Sequence, residues 1–140
     1  MTLIVDAGAL YAQANRRAPE HEAVSNALRS ETGLLVTSEL AVAEADYLIL
    51  TRLGLEVELA FLQDLAEGTF APVCLNREEL RVALGVARRY PALRLGLADC
   101  SLVVLAQRYR TVRLATLNLR DFRAVTPLQG GAFVLLPADG

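Results

Sequence analysis

Apolar positions recur along the chain in two ways: short runs of strand length, and longer stretches with apolar residues three and four apart. Leu3-Ile4-Val5 is a run that ends at Asp6-Ala7-Gly8, a buried strand entering a turn. Helical spacing follows over 9–17 and, after Pro19, over 20–29. Gly33 opens a second strand over 34–37, and Ser38 is a good N-cap for a helix over 39–52. Gly54 punctuates, and 55–67 carries Leu, Val and Phe at helical spacing up to Gly68. A third strand over 70–75 leads to Asn76, the cap of a helix that runs through Tyr90 until Pro91 stops it. The most apolar helix, over 97–108, follows Gly96, and strands over 112–117 and 132–136 complete the set. Strand–helix alternation of this kind predicts an α/β fold. It would be a three-layer α/β/α sandwich with a central, mostly parallel sheet of about five strands. No repeat, low-complexity segment or linker interrupts it, so residues 1–140 are expected to form a single domain.

Composition narrows the class. Hydrophobic residues make up 54% of the chain and charged residues 21%, which excludes disorder and leaves enough apolar surface for a core. No apolar stretch reaches membrane-spanning length, and the opening Met-Thr-Leu-Ile-Val-Asp lacks the basic region of a signal peptide. A cytoplasmic location is therefore expected, and Cys74 and Cys100, set in apolar surroundings, read as buried reduced thiols. A single histidine, His21, on a polar helix, leaves no material for a multi-histidine zinc site and reads as a surface residue. Tyr47, Tyr90 and Tyr109 read as packing residues with wet hydroxyls. The net charge of −2 does not advertise a nucleic-acid binder, although acids gathered at a metal site distort that balance. All 14 basic residues are arginine.

In a doubly wound sheet the chemistry sits beyond the carboxyl ends of the strands. Asp6 ends the first strand and Asn118 the fourth. Glu44 lies between Leu40 and Leu48 at i−4 and i+4, a helical stripe expected to face the core. Asp99 is the only charge between Gly96 and Gln107. An isolated carboxylate on a buried face is costly and needs a partner, a capping role or a metal. Asp6 and Asp99 could each cap a helix, and Glu44 could pair with an arginine. Together, three acids from distant segments suit one hard cation, Mg2+ or Mn2+, as ligands.

These segments resemble a known family. Leu3-Ile4-Val5-Asp6-Ala7-Gly8-Ala9-Leu10 resembles the opening strand and first acid of PIN domains, and the stretch from Thr37 to Leu48 resembles the helix carrying their second acid, here Glu44. Leu95-Gly96-Leu97-Ala98-Asp99-Cys100-Ser101 resembles the segment of the third acid. Ala115-Thr116-Leu117-Asn118-Leu119-Arg120-Asp121-Phe122-Arg123 resembles the closing motif, and 134–137 the final strand. The match spans the chain in order, and the Glu44-Ala45-Asp46-Tyr47-Leu48 block is similar to VapC toxins of bacterial toxin–antitoxin pairs. The resemblance implies a metal-dependent endoribonuclease that hydrolyses RNA phosphodiester bonds. It also implies a homodimer and a VapB-like antitoxin lying in a groove formed by the helices over 39–52 and 55–67.

Two positions depart from that pattern. Gly8 stands where the family usually has Ser or Thr, and Asn118 where it usually has Asp. Asparagine removes one charge from the cluster, and Asp121, three residues on, is placed to substitute for it or to act as a cap. Haloacid-dehalogenase phosphatases and response-regulator receivers also begin with a strand ending in Asp, but both need a lysine that this chain lacks. The rival reading is a catalytically weakened PIN domain acting as an RNA- or partner-binding module, and Asn118 is the residue that sustains it.

Overall fold

A strand with large apolar side chains on both faces is stable only in a sheet covered on both sides, and β1 (Thr2–Val5) meets that demand. Its Leu3, Ile4 and Val5 are wholly buried. The computed structural model describes residues 1–140. The other strands are β2 (Leu34–Ser38), β3 (Ala71–Val73), β4 (Arg113–Ala115) and β5 (Val134–Leu136). They form one five-stranded sheet in the order β3-β2-β1-β4-β5, and every pairing is parallel. In register, Ile4 lies beside Val36 of β2 and Leu114 of β4. Pro72 lies in β3, an edge strand, where its missing N–H breaks no inner ladder.

Seven helices join the strands: α1 (Ala7–Ala14), α2 (His21–Ser30), α3 (Glu39–Leu53), α4 (Leu55–Glu67), α5 (Arg77–Arg89), α6 (Gly96–Arg108) and α7 (Leu119–Ala124). The chain steps outward from β1 to β2 to β3, then returns past β1 to β4. Right-handed crossovers therefore put α1 to α4 on one face and α5 and α6 on the other, the three layers that the alternation predicts. Packing agrees: α1 lies against α2 and α3, α5 against α6, and α6 on β1 and β2. Residues 100–106 of α6 are all buried, which is why this helix is so apolar.

The elements differ from the sequence expectation mainly at their ends. The strands expected over 70–75, 112–117 and 132–136 are shorter: the first two lose residues at both ends, their last ones to the turns before α5 and α7, and the third begins two residues later than expected. Asn76 Oδ1 accepts from the Glu79 N–H at 2.8 Å while the Glu79 carboxylate accepts from the Asn76 N–H at 3.0 Å, a capping box that turns the chain into α5. α7, at 6 residues, is too short to show a helical period and was not among the expected elements. Cys100 is buried as expected but Cys74 is exposed, because it follows the short edge strand rather than lying in it. Tyr47 is exposed as well and does not pack, whereas Tyr90 and Tyr109 are half-buried.

The turn into α6 decides where Asp99 stands. Arg94 has φ 51° and Gly96 φ 81°, so the chain passes twice through left-handed backbone before the helix begins. Glycine takes that conformation freely, whereas an L side chain costs roughly 1–2 kcal/mol there. A Cβ at Gly96 meets nothing within 4 Å, so the penalty is purely conformational. Gly96→Ala is expected to lower the melting temperature by roughly 3–8 °C, and an unchanged melting curve would show that the turn is not fixed.

Candidate active site

The strand order reverses at β1, so the crevice between the carboxyl ends of β1 and β4 is the switch point where α/β sheets hold their ligands. Asp6 leaves β1 at that point and has 4% of its surface exposed. It is also the N-cap of α1, its Oδ1 accepting from the Ala9 N–H at 2.7 Å. Its Oδ2 accepts from the hydroxyl of Thr116, which leaves β4 on the other side of the crevice. Thr116 is itself only 1% exposed, and its Oγ1 accepts in turn from the Asn118 N–H at 2.9 Å. One threonine hydroxyl thus bridges the switch point.

Asn118 is the N-cap of α7 rather than the end of a strand. Its Oδ1 accepts from the Asp121 N–H at 3.3 Å, and its Nδ2 donates to Asp121 Oδ2 at 2.8 Å. The amide is therefore committed to the cap, and Asp121 is the carboxylate that α7 contributes. Asp99 is not a cap: it is the fourth residue of α6, half-buried, in a first turn whose N-cap Leu95 offers no side-chain bond. The expectation for Glu44 is corrected. The buried stripe of α3 is Ala41, Ala45 and Ile49, and Glu44 stands exposed beside it, with Leu40 and Leu48 half-buried. A carboxylate at the edge of the seam keeps its water, the opposite of the buried-face placement that the Leu40/Leu48 spacing suggested.

A second polar bridge ties the helices that carry Glu44 and Asp99. Ser38 Oγ caps α3 by accepting from the Ala41 N–H at 3.0 Å and stands 2.7 Å from Ser101 Oγ on α6. Ser101 donates to the Ala98 carbonyl at 2.5 Å, which leaves Ser38 as donor to Ser101. Both serines are wholly buried, so the starts of α3 and α6 are locked to each other.

The carboxylates feel one another. Burial pushes the Asp6 carboxyl up to about 6; hydrogen bonds from Thr116 and Ala9 restrain the rise, and the charge of Glu44 adds to it. Burial likewise lifts Asp99 to about 7, helped by the charges of Asp6, Glu44 and Asp121. No ion pair involves any of the four; the arginines in ion pairs are Arg81, Arg108, Arg113 and Arg123, paired elsewhere. The acids named from the sequence are thus brought to one end of the sheet without a basic partner. As the side chains stand, no three of them are close enough to hold an ion together. Asp6 has both oxygens already engaged. A set of only carboxylate and amide oxygens, short of positive charge, fits a hard divalent cation better than any other metal.

Thr116 and Ser101 escaped sequence reasoning because a hydroxyl is ordinary in a strand or a helix turn. The one available signal was position, since Thr116 directly follows the strand that adjoins the Asp6 strand. Gly8 leaves room for the Ser or Thr usual in the resembled family: a Cβ there would lie 3.6 Å from Asp6 Oδ1, an ordinary contact.

A parallel sheet with carboxylates gathered at its switch point defines an acid-centred α/β protein, and sequence comparison narrows that class. The PIN domain family model matches residues 3–126. The chain belongs to the PIN domain family. Ribonuclease VapC26 of Mycobacterium tuberculosis is 41% identical over 135 residues, covering 96% of this chain and 100% of the relative. Among solved structures, Mycobacterium tuberculosis VapC20, described as a toxin that cleaves the sarcin–ricin loop, superposes with a TM-score of 0.73 at 14% identity, covering 80% of this chain and 86% of its own. VapBC2 of Rickettsia felis, bound to a promoter DNA fragment, gives 0.69 at 12% identity, covering 96% and 97%. At such identities these structures speak for the fold, the five-stranded parallel sheet flanked by helices.

The raised carboxyls fix a pH dependence. Between the ordinary carboxyl range and pH 7 the folded protein holds protons that the unfolded chain has lost, so stability falls as pH rises through that window. Glu31, Glu79 and Asp139, all lowered by arginine and backbone N–H partners, act oppositely and only below about pH 4.5. In metal-free buffer the melting temperature is therefore expected to decline from pH 5 to pH 7.5, with a shallower decline in Asp99→Asn. A flat profile in the wild type would show that the carboxyls are not raised.

Proposed function

We propose that this protein is a metal-dependent endoribonuclease of the VapC toxin kind, hydrolysing RNA phosphodiester bonds and held in check by a VapB-like antitoxin. The observation that carries the proposal is the set of four carboxylates, Asp6, Glu44, Asp99 and Asp121, gathered without a cation at the switch point of this fold. The identity with a named VapC ribonuclease over the whole length of that relative supports it. Asp6, Glu44 and Asp99 are the residues that would hold Mg2+ or Mn2+. When bound, such a cation polarises a phosphodiester oxygen, neutralises its charge and makes a nearby water more acidic.

The chain's own residues have separate tasks. Asp6, fixed by Ala9 and Thr116, would supply the anchored ligand. Glu44, exposed at the rim, and Asp99, in the first turn of α6, would supply the other two. Asp121 stands near enough to act on Asp99 electrostatically, and Asn118 holds it by the hydrogen bond that Nδ2 donates to Asp121 Oδ2 at 2.8 Å. In this way Asp121 takes the place of the aspartate that the family usually has at position 118. A homodimer and docking of the antitoxin along α3 and α4 complete the proposal, and the exposed Tyr47, Leu50, Leu55, Leu59 and Leu62 supply apolar surface for both. The alternative, a weakened PIN domain serving as an RNA- or partner-binding module, draws on one observation: the Asn118 amide is spent on capping α7.

Asp99→Asn separates these readings. The change keeps volume and removes charge, so as a metal ligand Asp99 is needed for cleavage while the metal-free fold is not weakened. With antitoxin removed, Mg2+-dependent cleavage of total RNA is expected to fall by roughly 100-fold or more, with an unchanged or higher metal-free melting temperature. Undiminished cleavage would displace the active site from Asp99. Asn118→Asp provides the second test: a large rise in cleavage favours the weakened-domain reading, and little change favours substitution by Asp121.

A further inference from the structure

A cavity of about 860 Å³ lies away from the carboxylates, between the end of α1, the start of α2 and the junction of α3 with α4. Arg16, Arg17, Arg29 and Arg52 line it, against only two acids, Glu56 and Asp64. In a chain of net charge −2 this is a local reversal of sign. None of the four arginines is in an ion pair. Arg52 lies over the Tyr11 ring, 5.8 Å from its centroid, and Arg29 bonds only to the Ser25 carbonyl and the Asn26 side chain.

The wall that separates the arginines from the core is built and polar. His21, expected on the surface, is half-buried, with Nδ1 2.9 Å from the Ala12 carbonyl, and buried Ser25 bonds to Gln13. The floor is apolar, with Phe61 and Phe70 buried beneath it. All four guanidinium groups are exposed at the mouth of the cavity and present planar forks suited to phosphate oxygens.

The cavity is also in line with the carboxylates. α1 begins at the Asp6 cap and ends at the cavity, and α3 begins beside Ser101 of α6 and carries first Glu44 and then Arg52. Eight residues of helix separate Glu44 from Arg52, roughly 12 Å along the axis. The two helices, packed side by side, lead from the acid cluster to the arginine cavity.

We infer that this cavity is a phosphate-binding subsite that holds the backbone of single-stranded RNA on one side of the cleaved bond, with Arg16 and Arg52 as its main contacts. The inference rests on the ribonuclease reading for the identity of its ligand, but not for the existence of the site. A cluster that repels phosphate until an ion is bound gains from a cationic hold on the same strand nearby. Arginine contacts to the backbone supply affinity without base preference.

The test measures binding of a short labelled single-stranded RNA by fluorescence anisotropy in chelator-containing buffer, across a range of salt. The Arg16→Gln/Arg52→Gln double variant is compared with Arg77→Gln/Arg88→Gln, which removes the same charge from exposed positions on α5 outside the cavity. The cavity pair is expected to weaken RNA binding by about tenfold or more at low salt and to reduce the slope of log affinity against log salt by about 1.4, two single-strand phosphate contacts. The control pair should leave both near wild type, and Arg16→Lys/Arg52→Lys should restore most of the salt slope. With Mg2+, the cavity pair should lower kcat/KM through KM. Equal weakening by both pairs, or none by the cavity pair at an unchanged melting temperature, overturns the subsite. So does tighter binding of duplex DNA than of single-stranded RNA, or a polyglutamate peptide that competes as well as RNA of equal charge. Binding read without metal is independent of cleavage. An arginine-dependent RNA complex in a protein that cuts nothing would support the subsite and sink the nuclease.

Discussion

The carboxylate of Asp6 is nearly sealed from water at the end of the central strand, and the rest of the site is arranged around the cost of that burial. Two hydrogen bonds offset part of it, one from the first turn of α1 and one from Thr116 across the switch point. Each also commits a structural element. The Ala9 bond starts α1 at a fixed residue, and the Thr116 bond holds the exit of β4 against the exit of β1. Through the Asn118 N–H, which donates to the same threonine hydroxyl, the start of α7 is fixed as well. Hydrogen bonds lower the carboxyl pKa but supply no positive charge, so Asp6 stays raised. The fold tolerates a buried carboxyl with no basic partner at this one place, and burial keeps it prone to protonation.

The other acids are held differently, and the difference matters for an ion-binding site. Asp99 is placed by a strained turn and by the Ser38–Ser101 bridge, which fixes backbones and leaves its carboxylate free. Glu44 is on a long exposed side chain at the rim. A cluster rigid in all its members would suffer full repulsion without an ion. One fixed acid with two adjustable ones would lower that penalty in the proposed ion site; the carboxylates sense each other although no three stand at ligand spacing.

Much of this was legible from residues alone, for identifiable reasons. Strand and helix order follows from apolar runs separated by Gly, Pro and good caps, and Ser38 and Asn76 cap the helices assigned to them. Asp6 stood out as the acid that ends a buried strand and Asp99 as a lone charge in an apolar helix, local properties that a sequence displays directly. Glu44 was found for a reason the structure does not support, because i±4 neighbours identify a stripe but not which side of the stripe faces the core. Thr116, Ser101 and the half-buried His21 depend on what lies across from them, and contacts between residues as far apart as Thr116 and Asp6 leave no periodic trace. The capped ends of β3 and β4 and the brief α7 fall below the length at which a period can be recognised.

Net charge was the most misleading of the sequence properties, and the structure shows why. A balance of −2 averages over a chain whose charges are sorted in space. Unpaired acids gather where β1, β4, α3 and α6 converge, and unpaired arginines gather at the far ends of α1 and α3. Helices α1 and α3 carry both signs, acid at the start and arginine at or beyond the end, so their separation is set by helix length and not by a flexible loop. Under the proposed function, a polyanion would meet repulsion at the acids and attraction at the arginines. Bulk charge cannot register that sorting, because it depends on position along two helices that the sequence presents as ordinary helical segments.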